Sequence, residues 1–296
     1  MKWPLFIALL LACTSGVRPC DLCNYYQNIY PHDGQTTIGL RYRFSRYHVE
    51  EQMSHMSLAK IMHGSSAGSE MYNTLEMWGR WYPGSNWYIE FVVPYRENSA
   101  TEESTERGMG DIVVIGNYHV FESGRDDYEA VKQRLTVGVG LKLKTGGFDQ
   151  SGDPHLQTGT GTTDFIFSGG YVLKYLRLGL VSNLSFGLNG TNPNGYHFAN
   201  RMNAAVSGFI QHRMGAVILS PHVGVYAERS GMDTHDGQSV QGTGGSMLLA
   251  MTGIDLSLKG WSMMASYQLP VRQSADRPEN QYRIVTGLSY SFDTSD

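Results

Sequence analysis

Thr37-Ile38-Gly39-Leu40-Arg41-Tyr42-Arg43-Phe44-Ser45 alternates strictly. Ile38, Leu40, Tyr42 and Phe44 fall on one face of an extended chain, and Thr37, Gly39, Arg41, Arg43 and Ser45 on the other. Successive side chains of a strand point to opposite sides, so this stretch sets an apolar stripe back to back with a basic one. In a soluble sandwich the apolar face would be core. In a membrane barrel it faces lipid, and the arginines face the lumen. One strand does not separate the two.

The pattern recurs along the chain. Leu135, Val137, Val139, Leu141 and Leu143 oppose Arg134, Thr136, Gly138, Gly140, Lys142 and Lys144. Trp87, Ile89, Phe91, Val93 and Tyr95 oppose Tyr88, Glu90, Val92, Pro94 and Arg96. Leu176, Leu178, Leu180, Leu184, Phe186 and Leu188 oppose Arg177, Gly179, Asn183, Ser185, Gly187 and Asn189. Segments of roughly ten residues are the length of tilted membrane-crossing strands. About twelve are predicted. They lie near 36-47, 70-82, 87-96, 110-121, 133-144, 162-174, 176-189, 198-211, 215-228, 246-257, 260-271 and 281-292. Ala and Met blur the alternation in 198-211 and 246-257.

The connections sort by parity. Longer polar linkers, such as 48-69, 97-109 and 229-245, follow odd strands. Tight links follow most even ones: Pro83 to Asn86, Tyr175, His212 to Met214, and Leu258 to Lys259. The link at 122-132 is the exception. Long loops at one rim and short turns at the other are the layout of outer-membrane barrels, and a sandwich has no reason to sort loops this way. The last segment ends in an outward row of Tyr282, Ile284, Thr286, Leu288, Tyr290 and Phe292, and Trp78, Trp81, Trp87 and Trp261 are placed for interfacial girdles. The expected fold is an all-β, transmembrane antiparallel β-barrel of about 12 strands, preceded by a cleaved N-terminal signal peptide.

Composition agrees. Of 296 residues 35 are Gly and 18 Tyr, only 17% are charged, and mean hydropathy is negative. Past the first dozen residues no apolar run approaches a membrane-spanning helix. A formal net charge of -4 disfavours a nucleic-acid partner.

The N-terminus reads as an export signal. Lys2 precedes an apolar run from Pro4 to Ala12, with small residues at Thr14, Ser15 and Gly16. Residues 1-19 are assigned to the signal peptide, 20-34 to a periplasmic segment, 35-292 to the barrel and 293-296 to a C-terminal tail. Leu10-Leu11-Ala12-Cys13 loosely resembles a lipoprotein box, but Leu11 is bulky where a small residue is usual. The mature chain would keep Cys20 and Cys23, a C-x-x-C pair suited to a disulfide or a metal. Asn24 stands where haem attachment needs His.

Three motifs carry a family resemblance: Gly108-Met109-Gly110-Asp111-Ile112-Val113, Gly138 to Gly146 (GVGLKLKTG) and Gly159 to Phe165 (GTGTTDF). They resemble a family of outer-membrane transporters labelled after a phenol-degradation (meta) pathway and distantly similar to fatty-acid channel barrels. Cys20-Asp21-Leu22-Cys23 and Gly39-Leu40-Arg41-Tyr42 resemble a Bacteroidetes-type branch. The resemblance covers most of the mature chain. It implies a small-molecule cargo, hydrophobic or aromatic in character, and it is weak on which one.

By parity, the candidate lumen residues are Arg41, Arg43, Glu76, Arg80, Glu90, Arg96, Asp111, Lys142, Lys144, Asp164, Arg177 and Arg283. They suit either a selective pore lining or a salt-bridged brace in a narrow barrel. Asp111 and Asp164 suit an extracellular mouth or simple turn caps. Met53, His55, Met56 and His63 share one linker with His48, Met62 and Met71, and Met232 and His235 lie in a second. Thioether and imidazole suit Cu(I), making a surface copper site a rival reading; no other cofactor is expected. No G-x-S-x-G, H-E-x-x-H or phosphate loop occurs, and His119, His197 and His222 lack an obvious nucleophile partner, so no enzyme is expected. The partners implied are outer-membrane lipid and a small solute, for a monomer.

Overall fold

The computed structural model describes residues 34–49, 68–100, 104–124, 130–149, 154–274 and 278–293. The stretch expected to be a signal peptide, residues 1-19, the Cys20 and Cys23 positions and most of the first linker lie outside these residues.

Every regular element is a strand. In chain order they are β1 (Thr36–Val49), β2 (Gly68–Gly84), β3 (Trp87–Ala100), β4 (Ser104–Met109), β5 (Val113–Ser123) and β6 (Val131–Lys142). There follow β7 (Asp164–Tyr175), β8 (Leu178–Leu188), β9 (Tyr196–His197), β10 (Arg201–Ile210), β11 (His212–Met214) and β12 (Val217–Ser230). The last are β13 (Thr234–His235), β14 (Gln238–Ser239), β15 (Gly245–Leu258), β16 (Trp261–Gln273) and β17 (Glu279–Phe292).

Fourteen strands join one antiparallel sheet. The β10–β12 pairing closes it on itself, and β1 pairs with β17. β4 with β5, and β10 with β11, are single staves with a break, so the wall is a closed barrel of twelve staves. Closure removes every free sheet edge, as a strand structure in lipid requires.

Burial follows parity. Ile38, Leu40 and Tyr42 on β1 are exposed, while Thr37, Arg41, Arg43 and Ser45 are buried. The same holds for exposed Val137, Val139 and Leu141 against buried Thr136 and Lys142 on β6, and for exposed Val223 and Val225 against buried His222 and Tyr226 on β12. The outside is therefore apolar and the inside largely polar, the reverse of a soluble domain. Exposed patches this large are stable only against an apolar medium.

Two-residue turns close one end, at Ser85–Asn86, Leu176–Arg177, Gly215–Ala216 and Lys259–Gly260. Leu176 (φ 54), Gly215 (φ 61), Lys259 (φ 48) and Gly260 (φ 86) take the left-handed backbone such hairpins need. Trp81, Trp87, Trp261 and Phe292 stand exposed at this rim, an interfacial girdle.

Several details differ from the sequence-based expectation. Trp78 is not part of the girdle. It is 3% exposed on the inner face between Glu76 and Arg80, its ring over Gly39, where a Cβ would meet it at 2.9 Å. Much of the expected loop at 97-109 is hairpin, because β3 and β4 continue pairing from Tyr95↔Met109 to Ala100↔Ser104. His212 to Met214, expected as a link, extends the ladder against β12. The stave expected over 198-211 starts at Arg201, because Phe198 and Ala199 are buried beneath the loops instead.

Candidate functional site

The inner wall carries charge in layers, much of it paired. Near the middle of β1 and β2, Glu76 receives Arg41 Nε at 2.5 Å and Arg43 at 2.6 Å, one carboxylate held by two guanidinium groups. Register explains the meeting: Arg41 pairs with Glu76 across the ladder, and Arg43 is the next inward residue. Lower down, Arg80 pairs with Glu90 at 3.2 Å and lies 5.4 Å from the Tyr88 ring centre. Higher up, Arg283 donates from Nε to Ser45 Oγ at 3.2 Å and sits 5.3 Å from the Tyr226 ring.

A second cluster sits where β6 and β7 meet the loops. Lys142 is fully buried between Asp164 and Asp111, which lies at 3.3 Å, and it also touches Thr160 Oγ1. The carboxylates hold loop backbone as well. Asp111 accepts from the N–H of Gly146 at 2.9 Å and of Thr160 at 3.0 Å, and Asp164 accepts from the N–H of Gly190 at 2.9 Å. The GMGD, GVGLKLKTG and GTGTTDF segments therefore converge on one structure that draws residues 143–149 and 154–163 inward. Arg96 and Asn98 donate to its backbone carbonyls at Thr158 (2.9 Å) and Leu156 (3.0 Å).

At the loop end of the barrel, residues 154–163, 189–200 and 231–244 form a crown. Asp233 is its hub, 1% exposed. It accepts from Tyr196 Oη at 2.9 Å and from the Ala199 N–H at 2.9 Å, and it lies 3.6 Å from His155 Nε2. β9, β13 and β14 form a small sheet here, and His155, Tyr196 and Phe198 pack ring to ring.

Of the residues expected to line the lumen, Arg41, Arg43, Glu76, Arg80, Glu90, Arg96, Lys142, Asp164 and Arg283 are buried on inner faces, and Asp111 is buried at the break between β4 and β5. Two are not in the lumen. Lys144 is exposed in the loop, because β6 ends at Lys142 and Leu143 leaves the wall. Arg177 is exposed in the tight turn beside Leu176, outside any strand. Asp111 and Asp164 tie loop backbone, as turn caps would, and also hold the buried Lys142 cation, which neither the mouth nor the turn-cap reading included.

Sequence reasoning missed Arg201 and Glu228, 3.7 Å apart, and His222 with Asp255, 3.0 Å apart, all buried on the inner wall. Inner-face parity along β10, β12 and β15 was the signal. Apolar side chains share this wall: Ala205, Tyr226, Met247 and Leu249 form one patch, Val181 and Phe209 another. Met53, His55, Met56, Met62 and His63 lie outside the described residues. Near the top of β1 and β2, His48 stands opposite Ser69 and Met71 opposite Arg46, Met232 is exposed, and His235 contacts the Asn194 carbonyl at 3.0 Å. No group of three His, Cys, Asp or Glu side chains placed to hold a metal ion occurs among the described residues.

No protein-family model matches the sequence, and no curated protein matches it. Solved structures do resemble it. The COG4313 outer membrane channel from Pseudomonas putida F1 superposes with a TM-score of 0.66 at 15% identity, over 90% of this chain and 100% of that one. The beta domain of the Bordetella autotransporter BrkA gives 0.51 at 14% identity, over 87% and 100%. Likeness at this identity speaks for the fold, and with the apolar outer belt it makes this chain an outer-membrane β-barrel.

Proposed function

We propose that the chain is a monomeric outer-membrane channel that passes a small solute passively. One observation carries the reading: the inner wall bears charge along its whole length, from Arg80 and Glu90 near the turn end to Asp111, Lys142 and Asp164 under the crown. A barrel built only to be stable gains nothing from this. Replacing buried ion pairs by well-packed apolar side chains is commonly neutral or stabilising, by roughly 1–4 kcal/mol. Charges kept in the lumen at that cost are best explained by a solute that meets them.

Selectivity would come from the lumen charges and from the inward residues 154–163, with the crown limiting entry from outside. The resemblance to the phenol-pathway transporter family and its Bacteroidetes-type branch supports a small organic cargo. So does the mixture of Arg, Tyr and aliphatic patches inside. Transport of this kind needs no catalytic step by the protein.

The test is single-channel recording on chain refolded in detergent and added to a planar bilayer. Stable steps that grow with salt concentration are expected. Insertion without steps, together with no solute-driven swelling of loaded liposomes, would overturn the proposal.

A further inference from the structure

The buried charges are not spread evenly around the wall. β17, β1, β2 and β3 are consecutive staves. Their buried inner-face charges are Arg283, Arg41, Arg43, Arg80 and Arg96 against Glu76 and Glu90. β16 adds none among the described residues. The rest of the wall carries Lys142 and Arg201 against Asp111, Asp164, Glu228 and Asp255. Among the described residues, four adjacent staves thus bury five arginines against two carboxylates, and the other eight bury two cations against four carboxylates.

The arginines also form a ladder along it. In register with β1, Arg80 stands opposite Thr37 and Arg283 opposite Ser45, with Arg41 and Arg43 on β1 between them. Arg96 joins at the height of Arg43, since both pair with Thr74. Eight residues of strand at about 3.3 Å each span roughly 26 Å. With a tilt near 40° this is about 20 Å of barrel axis. Successive guanidinium groups therefore line most of the crossing.

We infer that the solute is a small organic carboxylate, handed along this arginine ladder; the inference rests on the channel reading above. The planar fork of Arg matches a carboxylate, and Glu76 between Arg41 and Arg43 shows the ladder already holding one. Arg80 over Tyr88 and Arg283 over Tyr226 set a ring beside the cation at both ends, which suits an anion with an apolar body. Several similar sites in series hold an anion well enough to admit it and loosely enough to release it.

The experiment is the reversal potential of the refolded full chain in a potassium chloride gradient. It is followed by addition of benzoate or of benzylammonium, a matched ring of opposite charge. Arg283→Gln is the main variant, because a Gln amide can still hydrogen-bond to the Ser45, Tyr47 and Gln268 side chains beside it. Arg43→Gln is the second, because Glu76 then keeps Arg41. Folding of each is checked by heat-modifiable mobility on gels.

Anion preference is expected, with chloride current interrupted by benzoate and not by benzylammonium. Both effects shrink in each Arg variant, and the preference grows in Asp255→Asn on β15. Conductance with no anion preference, or with a preference unchanged in both Arg variants, overturns the carboxylate inference and leaves the channel standing. Absence of both conductance and liposome swelling removes the channel, and the inference with it.

Discussion

Replacing Leu40 by Arg puts a guanidinium on the outer face of β1, beside Leu288 and Met77, its partners on β17 and β2. All three are 43–52% exposed. Leu40 lies four residues above Thr36, whose partner is the rim residue Phe292. At about 3.3 Å per residue and a tilt near 40°, that is roughly 10 Å above the rim. An outer-membrane apolar belt is about 25 Å tall, so Leu40 is close to its middle. Arg at that depth costs about 2–4 kcal/mol, and near the interface about 0–1. Leu40→Arg should therefore shift the folding equilibrium by roughly 30- to 1,000-fold, at about 1.4 kcal/mol per tenfold. Phe292→Arg should shift it by less than about tenfold. In water, by contrast, substituting an exposed residue is usually worth within about 0.5 kcal/mol. The assay is equilibrium unfolding in guanidinium in the presence of phospholipid vesicles, followed by tryptophan fluorescence. Equal effects at the two positions, or a cooperative fold without lipid or detergent, would refute the reasoning.

Lys142→Met leaves Asp111 and Asp164 buried without their cation, so a loss of about 3–5 kcal/mol is expected in the same unfolding assay. Adding Asp111→Asn and Asp164→Asn should restore part of it, and a loss below about 1 kcal/mol would mean the cluster is hydrated rather than buried. Asp233→Ala removes the acceptor for Tyr196 Oη and the Ala199 N–H. Proteases should then cut faster within 189–200 and 231–244 while heat-modifiable mobility stays unchanged; an identical digestion pattern would show that Asp233 does not hold the crown. In single-tryptophan variants, Trp87 and Trp261 should be quenched by lipids brominated near the headgroup and Trp78 should not, since only Trp78 faces inward. Quenching of Trp78 by lipid would place β2 in the opposite register.

The barrel was legible because a strand between lipid and lumen writes its two environments into alternate residues. That signal is local, so each stave could be found from its own ten or so residues. Where a second signal competed, the reading slipped. Trp78 was assigned to the girdle on residue type, although its parity with Glu76 and Arg80 already placed it inside. Lys144 kept the right parity and lost its strand, because β6 ends at Lys142 and Asp111 holds the Gly146 N–H just beyond it. Arg177 kept parity through a turn that Leu176 makes by adopting positive φ, which no alternation reports.

The crown was not legible for a different reason. Asp233 meets Tyr196 and Ala199 from 37 and 34 residues away, and Asp111 meets Thr160 across 49. Parity states which face a residue occupies, and says nothing of which distant residue shares that face. Pairing depends on stagger, which is set around the whole ring at once. Glu76 illustrates the division. Its inward direction follows from its own strand, whereas its grip by both Arg41 and Arg43 follows only once β1 and β2 are in register. The arginine ladder is a property of the closed ring for the same reason: Arg283 and Arg80 come from opposite ends of the chain, and only closure through β1 and β17 sets them in one line.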